Sequence, residues 1–390
     1  MNKVDVKLGG KHDVTAALTN VLAAHGILAP HNGQPFSEAM MLGIGGGLGM
    51  GYILWEFKRQ ESANVVLGFR NRWNYIPRFL TTLCARLGIQ ADVQETAGAK
   101  AAAANLENAQ LPVVAWVDQA HLPHQNLPEW LKGYWIHVVG VYGIEAGQVW
   151  IDDLSSELFA VPADIFAAGR ARIGSDKNRL MLITPPSAID LESAIIAGLH
   201  DHIDHLSSDS ESFSLPAIKK WAKLMTHPKD KKSWRVVFKK RNGLYTTLRS
   251  VYEGITLNST EGSGLRDLYA DFLEEASAIL GNAALKESAA HYREAAACWR
   301  DFADSALPES VPDFAETKSL LRDRYALYQA HDSAGMQQVS AQLNQIENDM
   351  KHEFPMDSAE VDVLFETLQA KLNTIYEAEV QALESLKQSL

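Results

Sequence analysis

The residues best suited to do chemistry are a histidine and an aspartate on neighbouring predicted strands. His137 lies in the apolar run 135–144, and Asp153 ends the run that follows it. The short connection at residues 145–147 predicts an antiparallel hairpin, which would place the two side chains next to each other. A carboxylate bonded to one ring nitrogen fixes the tautomer and raises the basicity of the other nitrogen. The pair therefore has the chemistry of a general base.

Two alternatives to this interpretation stay open at the level of sequence. Asp152 is the fallback partner, because adjacent strand residues face opposite sides and the sequence does not show which one faces His137. A strand histidine that bonds a neighbouring acid for packing alone would give the same pattern. The sequence thus predicts a histidine–acid pair, and its role is either catalytic or structural.

A second group of candidate residues lies at the start of the first predicted helix. His12 and Asp13 come directly before an apolar pattern of helical spacing that continues to residue 25. Asp13 is expected to cap this helix through the N–H of Thr15 or Ala16, worth about 1 kcal/mol. The helix dipole would also hold it as a carboxylate with little nucleophilic power. Thr15 is rotated by about 200° from residue 13 on a helix. Its hydroxyl is therefore not expected to act as a nucleophile at this position.

Three other segments resemble ligand sites. The densest set of potential metal ligands is His200, Asp201, His202, Asp204 and His205. Helical spacing separates this set into two pairs, so no metal is expected there. The glycines between residues 43 and 51 match neither a phosphate loop nor a dinucleotide loop, so no cofactor is expected. Gly262–Gly264 is interpreted as the loop before a helix cap, with anion binding as the alternative.

The secondary-structure pattern predicts an α+β domain with a mostly antiparallel sheet, followed by an all-α region. Runs rich in branched and aromatic residues predict strands at 65–69, 113–118, 135–144, 148–154 and 179–184. After Pro185 the pattern is helical to the end of the chain. The glycines at 43–51 are expected to let the first helix and the next one pack closely.

Three domains are predicted from these changes in pattern. They are residues 1–185, a helical domain at 186–310, and a C-terminal helical hairpin at 311–390. The hairpin is expected to pack on its own domain or on a second copy of the chain, which would make a homodimer.

Composition narrows the class of protein. The chain has 390 residues, 46% apolar content and a formal net charge of −12, which disfavours binding to nucleic acid or anionic lipid. No run has the length of a membrane span, and Met1–Gly10 lacks the pattern of a signal peptide, so a cytoplasmic protein is expected. Cys84 and Cys298 are far apart in helical patterns, which indicates reduced core thiols.

Several ordered motifs together resemble the butirosin biosynthesis protein H family. They are KHDVTAALTNVLAAHG (11–26), PFSEAMMLGIGGGLGMGY (35–52), YWIHVVGVYGI (134–144), VWIDDL (149–154) and TEGSGLRDLYADFLEEA (260–276). The resemblance spans residues 12–306. It implies a papain-like acyltransferase related to bacteriocin-transporter peptidases. Such an enzyme moves an acyl group from a carrier-protein thioester to a small-molecule amine in natural-product biosynthesis.

The chain departs from the family pattern at two positions. The family motif begins His-Cys, and that cysteine is the expected nucleophile, whereas this chain has His12-Asp13. The glutamine that related peptidases place six residues earlier, for the oxyanion hole, is Lys7 here. The resemblance therefore implies a site made of His137, Asp153, Asp13 and His12 without a thiol.

Two functions follow from this combination. In the first, an amine attacks an activated acyl donor directly, His137 takes the proton, and N–H groups of the first helix stabilise the oxyanion. In the second, the protein has lost catalysis and binds a carrier protein, a metabolite or a biosynthetic enzyme as a scaffold.

Overall fold

The computed structural model of the protein describes residues 7–57, 62–174, 177–257, 260 and 262–390. Residues 1–6, which belong to the segment considered for a signal peptide, lie outside this part. The chain divides into two compact units, each made of several segments. The first unit comprises residues 1–41, 76–194 and 326–337, and the second comprises residues 42–75, 195–325 and 338–390.

The described part of the chain contains eight strands and fourteen α-helices. The strands are β1 (Leu48–Phe57), β2 (Ser62–Arg70), β3 (Gln90–Gln94), β4 (Val113–Asp118), β5 (Ile136–Glu145), β6 (Gln148–Asp152), β7 (Phe159–Pro162) and β8 (Leu180–Thr184). The helices are α1 (Asp13–Ala24), α2 (Glu38–Ile44), α3 (Ile76–Arg86), α4 (Ala99–Glu107), α5 (Ala163–Ala171), α6 (Leu191–Leu206), α7 (Pro216–Thr226), α8 (Trp234–Val237), α9 (Leu244–Thr256), α10 (Arg266–Leu280), α11 (Ala284–Ala306), α12 (Pro312–Gln329), α13 (Ser333–His352) and α14 (Ser358–Ser389).

The first unit is built on a six-stranded antiparallel sheet of order β3-β8-β4-β5-β6-β7. The central strand β4 is buried at every residue, as expected for an apolar run with neighbours on both sides. Helix α1 packs against β5 and β4. The predicted α+β class with an antiparallel sheet is confirmed.

The predicted hairpin is also confirmed, because β5 pairs with β6 across the turn at residues 145–147. Strands β3 and β7 were not predicted from the sequence. Both are short edge strands with alternating burial, so neither carries a long apolar run.

The glycine-rich segment forms a turn and a strand. Helix α2 ends at Ile44, the chain turns through Gly46 and Gly47 with positive φ, and β1 then pairs with β2. A Cβ at Gly43 would lie 2.2 Å from the ring of Phe272 on α10. A Cβ at Gly47 would lie 2.6 Å from His202 of α6. The expected close packing of these glycines against the first helix is therefore wrong, since their close neighbours include α6 and α10.

The second unit is helical apart from the β1–β2 hairpin. Every described helix or strand after Thr184 is an α-helix, as the sequence predicts. Helix α14 packs against α11 and α7. Within α14, Glu379 is fully buried and accepts a hydrogen bond from Arg266 of α10 at 2.6 Å. Among the described helices, none combines the length and apolar character needed to cross a bilayer.

Candidate active site

The start of α1 is held by a glutamate, not by its own aspartate. Glu38 of α2 accepts the backbone N–H groups of Lys11 and His12, at 2.8 and 3.1 Å. The hydroxyl of Thr15 donates to the same carboxylate. Asp13 makes no capping bond to the helix, so the predicted capping role of Asp13 is wrong. Because it makes no capping bond, the carboxylate of Asp13 is available for side-chain contacts.

Asp13 instead accepts hydrogen bonds from two imidazoles. Nδ1 of His12 lies 2.7 Å from Oδ1, and Nδ1 of His137 lies 3.2 Å from Oδ2. The side chain of Asp13 is 13% exposed, so most of it is buried. Asp13 therefore occupies the position at which the family resemblance implies a thiolate beside an imidazolium.

The second nitrogen of His137 is bonded to the predicted acid. Nε2 of His137 lies 2.6 Å from Oδ1 of Asp153. Asp152 is directed elsewhere, where it accepts the N–H of Gly9 and the amide of Asn20 at 2.9 and 2.7 Å. Asp153 is thus the partner of His137, and Asp152 ties the segment before α1 to β6.

The electrostatics of the site make His137 a cation. Burial alone would lower the pKa of this imidazole, but the charge of Asp153 and the hydrogen bond to Asp13 outweigh it and raise the pKa to about 10. Burial likewise raises the pKa of each carboxyl group, yet the neighbouring imidazoles hold the pKa values of Asp13 and Asp153 below their usual range. At neutral pH the site is a carboxylate–imidazolium–carboxylate triplet.

Asp152 has the opposite electrostatic character. Burial raises the pKa of this carboxyl group to about 7, and the nearby charges of Asp153 and Glu38 act in the same direction. The hydrogen bonds from Gly9 and Asn20 only partly offset these effects. Two adjacent aspartates therefore differ in ionisation because one contacts imidazoles and the other does not.

Two further partners of Asp153 were missed by the sequence analysis. Oδ2 of Asp153 accepts Nε2 of His124 at 2.7 Å and Nε2 of Gln125 at 2.8 Å. Both side chains come from a short 3₁₀ turn, Pro123–Gln125, in the loop between β4 and β5. The available signal was a polar pair in a loop between two buried strands. That signal does not show that the loop folds back onto β6.

The site combines an imidazole, its two carboxylate partners and the N-terminus of α1, without a thiol at residue 13. Both nitrogens of His137 donate to carboxylates, so this ring has no lone pair for a substrate as it stands. Asp13 is the first residue of α1, and the first-turn N–H groups of a helix have no partner within the helix. Nζ of Lys7, which replaces the family glutamine, donates to the backbone oxygen of Phe36 at 3.2 Å.

We expect neither cysteine to be alkylated quickly in the folded protein. Cys84 is completely buried on α3, and burial raises the pKa of its thiol to about 12. Burial and the neighbouring charge of Asp301 also raise the pKa of Cys298. Because the thiolate is the reactive form, both should react with iodoacetamide far more slowly than free cysteine at pH 7.5. Peptide mass mapping after timed alkylation measures this, and fast labelling with loss of activity would contradict the assignment of the site.

The other sequence candidates are engaged in structural contacts in the second unit. His202 is buried, accepts the N–H of Leu48 at Nδ1 and bonds the hydroxyl of Tyr292 at Nε2, while Asp201 pairs with Arg72. The described residues include no cluster of metal-ligating side chains. The hydroxyl of Ser263 accepts the N–H of Asp267, in keeping with the predicted loop to helix cap.

Comparison with known families covers most of the chain. Residues 12–154 match the family described as butirosin biosynthesis protein H, N-terminal. Residues 167–325 match a domain of unknown function, DUF4872. No curated protein matches the chain. The resemblance predicted from the sequence motifs is thereby confirmed, and every residue of the triplet lies in the first match.

Proposed function

We propose that the protein has an acyltransferase-like role in biosynthesis. The reason is that residues 12–154 match the butirosin biosynthesis protein H family. The specific reaction is transfer of an acyl or aminoacyl group from a carrier-protein thioester, or another activated donor, to an amine. One observation carries this proposal: His137 bonds Asp153 through one nitrogen and, through the other, contacts Asp13 at the N-terminus of α1.

The triplet suggests a reaction without an acyl-enzyme. The amine nitrogen attacks the thioester carbonyl carbon, and first-turn N–H groups of α1 stabilise the oxyanion. The carboxylate of Asp13 accepts a hydrogen bond from the attacking amine and orients its lone pair towards the carbonyl carbon. As the intermediate collapses, the C–S bond breaks, and the proton of the attacking nitrogen passes to the departing thiolate. The products are an amide and a free thiol, and Asp13 stays a carboxylate throughout.

His137 has a supporting role in this scheme. The sequence analysis assigned it the role of base, but a ring protonated up to about pH 10 and bonded at both nitrogens is a poor acceptor. As a cation it orients Asp13 and compensates its charge in a buried site. The carboxylates also favour an acceptor that carries a second, protonated amine.

A binding function is the second candidate, and the same triplet favours it. Neither nitrogen of His137 is free, and Asp13 is held by two hydrogen bonds. A site of this kind could retain an amine or the end of a carrier-bound acyl chain without turnover. The protein would then act as a scaffold for a carrier protein, a metabolite or an enzyme.

An aminolysis assay separates the two functions. The protein is incubated with acyl N-acetylcysteamine thioesters and a panel of diamines at pH 7.5, and amide formation is followed by mass. We expect Asp13→Asn to lower the rate by about 10²-fold, because a small misplacement of the attacking amine costs that much. His137→Gln should also lower it, whereas His352→Gln, an exposed histidine of α13, is the matched control. Equal rates for the unaltered protein and Asp13→Asn would exclude the proposed role of this carboxylate.

A further inference from the structure

A short segment far along the chain belongs to the first unit. Residues 326–337 cover the end of α12, a turn and the start of α13, and they pack with the six-stranded sheet. This segment follows the two family matches, which end at residues 154 and 325. Nothing in those matches assigns it a role.

The segment contacts three consecutive residues that begin with the acid of the site. The hydroxyl of Tyr328 donates to the backbone oxygen of Asp153. Nε2 of Gln329 donates to the backbone oxygen of Leu154 at 3.1 Å. Nε2 of His331 lies 2.7 Å from the hydroxyl of Ser155. The loop that carries Asp153 is therefore bonded to this segment at every residue from 153 to 155.

The same segment also reaches the carboxylate of Asp153 through side chains. The ring of Phe159 is stacked between His331 and His124, with ring centroids 3.9 Å apart on both sides. His124 in turn donates to Oδ2 of Asp153. Gln125, the other donor to this oxygen, also donates to the hydroxyl of Tyr328 at 3.3 Å. The backbone oxygen of Asp153 thus bonds this segment directly, and its carboxylate is linked to the segment through His124 and Gln125.

The backbone of this loop needs such support. Leu154 has φ of +59°, in the left-handed region that a residue with a side chain adopts at a cost. A strained residue of this kind persists only where surrounding contacts determine its conformation. The bonds from Tyr328, Gln329 and His331 are contacts of this kind.

We propose that Tyr328, Gln329 and His331 are positioning residues that hold Asp153 in hydrogen-bond contact with His137. They act through Asp153 and do not touch the reacting atoms of the proposed transfer. Their importance for catalysis rests on the proposed function. The hydrogen bond that they maintain can be measured without any substrate, so the two proposals fail independently.

The test compares four single variants in the full-length protein, of which His331→Gln is the conservative one. Tyr328→Phe and His331→Ala remove contacts of the segment, and Tyr325→Phe makes the first change three residues earlier, at a half-exposed position on α12. The protein is labelled with ¹⁵N-histidine, and the His137 signals are assigned by their loss in His137→Gln. The measured quantities are the titration midpoint of His137 and the low-field signal of its Nε2 proton.

We expect Tyr328→Phe and His331→Ala each to lower the midpoint of His137 by about one pH unit and to shift the Nε2 proton signal upfield. Tyr325→Phe should change neither, and His331→Gln should restore part of the effect because its amide can still reach Ser155. A merely structural role would lower the melting temperature and leave the midpoint in place. An unchanged midpoint in folded Tyr328→Phe and His331→Ala would overturn the proposal. Should either variant fail to fold, the partner variant and His331→Gln decide.

Discussion

Asp13→Cys is expected to turn the site into one with a reactive thiol. The new sulfur would lie at the N-terminus of α1, close to Nδ1 of His137, which now lies 3.2 Å from the aspartate oxygen. Helix N–H groups and the imidazolium both stabilise a thiolate, so the pKa of the thiol should fall below the ~8.5 of free cysteine. Iodoacetamide alkylation between pH 5 and 9 would show this as a lowered midpoint.

A thioester donor should then acylate the variant. Incubation with acyl N-acetylcysteamine is expected to add the mass of one acyl group at residue 13, and the unaltered protein should show no such adduct. Asp13→Ser is the control, because serine has a similar size to cysteine but forms no thiolate. Asp13→Cys combined with His137→Gln is the control for the imidazolium and should lose most of the reactivity. A thiol that titrates like free cysteine and ignores His137→Gln would remove the geometric basis of the proposed site.

The stability of this variant also distinguishes the observed contacts from the expected ones. Since Asp13 makes no capping bond, the substitution leaves the hydrogen bonds of Glu38 to Lys11 and His12 in place. Any loss of stability then arises from the triplet, and it should be larger below pH 6, where the thiol is neutral and His137 keeps only one anionic partner. Urea unfolding at pH 6 and pH 8 measures the difference.

Among the substitutions proposed here, replacement of the buried Glu379 on α14 should cause the largest decrease in the free energy of unfolding. Arg266 and Glu379 are both fully buried, with a separation of 2.6 Å, and Nε1 of Trp299 also donates to Glu379 at 2.7 Å. Glu379→Ala would leave a buried guanidinium without its counter-charge, which costs about 3–5 kcal/mol. The free energy of unfolding in urea, measured at neutral pH, gives the effect.

A matched control lies one turn further along the same helix. Glu384 forms an exposed ion pair with Lys387, so Glu384→Ala should cost less than about 1 kcal/mol. The double variant Arg266→Met with Glu379→Leu should recover much of the loss, because it removes both charges together. A small effect of Glu379→Ala would mean that α14 does not depend on this contact.

The local parts of the site could be predicted from the sequence. The hairpin that joins His137 to Asp153 depends on two apolar runs and a short turn between them, and the start of α1 depends on the periodicity after His12. Both signals involve neighbours within a few residues. The sequence motifs alone also indicated the family.

The contacts between distant parts of the chain at this site could not be predicted from the sequence. Asp13 meets His137, Glu38 binds the segment before α1, and residues 328–331 bond the loop at Asp153, over separations of up to 176 residues. A glutamate or a tyrosine at such a distance has the same local sequence whether it faces the site or solvent.

What the sequence by itself determined is therefore the α+β class, the hairpin with its histidine and acid, and the absence of cysteine at residue 13. Only the tertiary structure decided that Asp153 rather than Asp152 bonds His137, that this ring is a cation between two carboxylates, and that the glycine-rich segment turns into β1. The physical reason is that strand and helix periods are encoded locally. The pKa of a buried group depends on which distant charges the fold brings within hydrogen-bond distance.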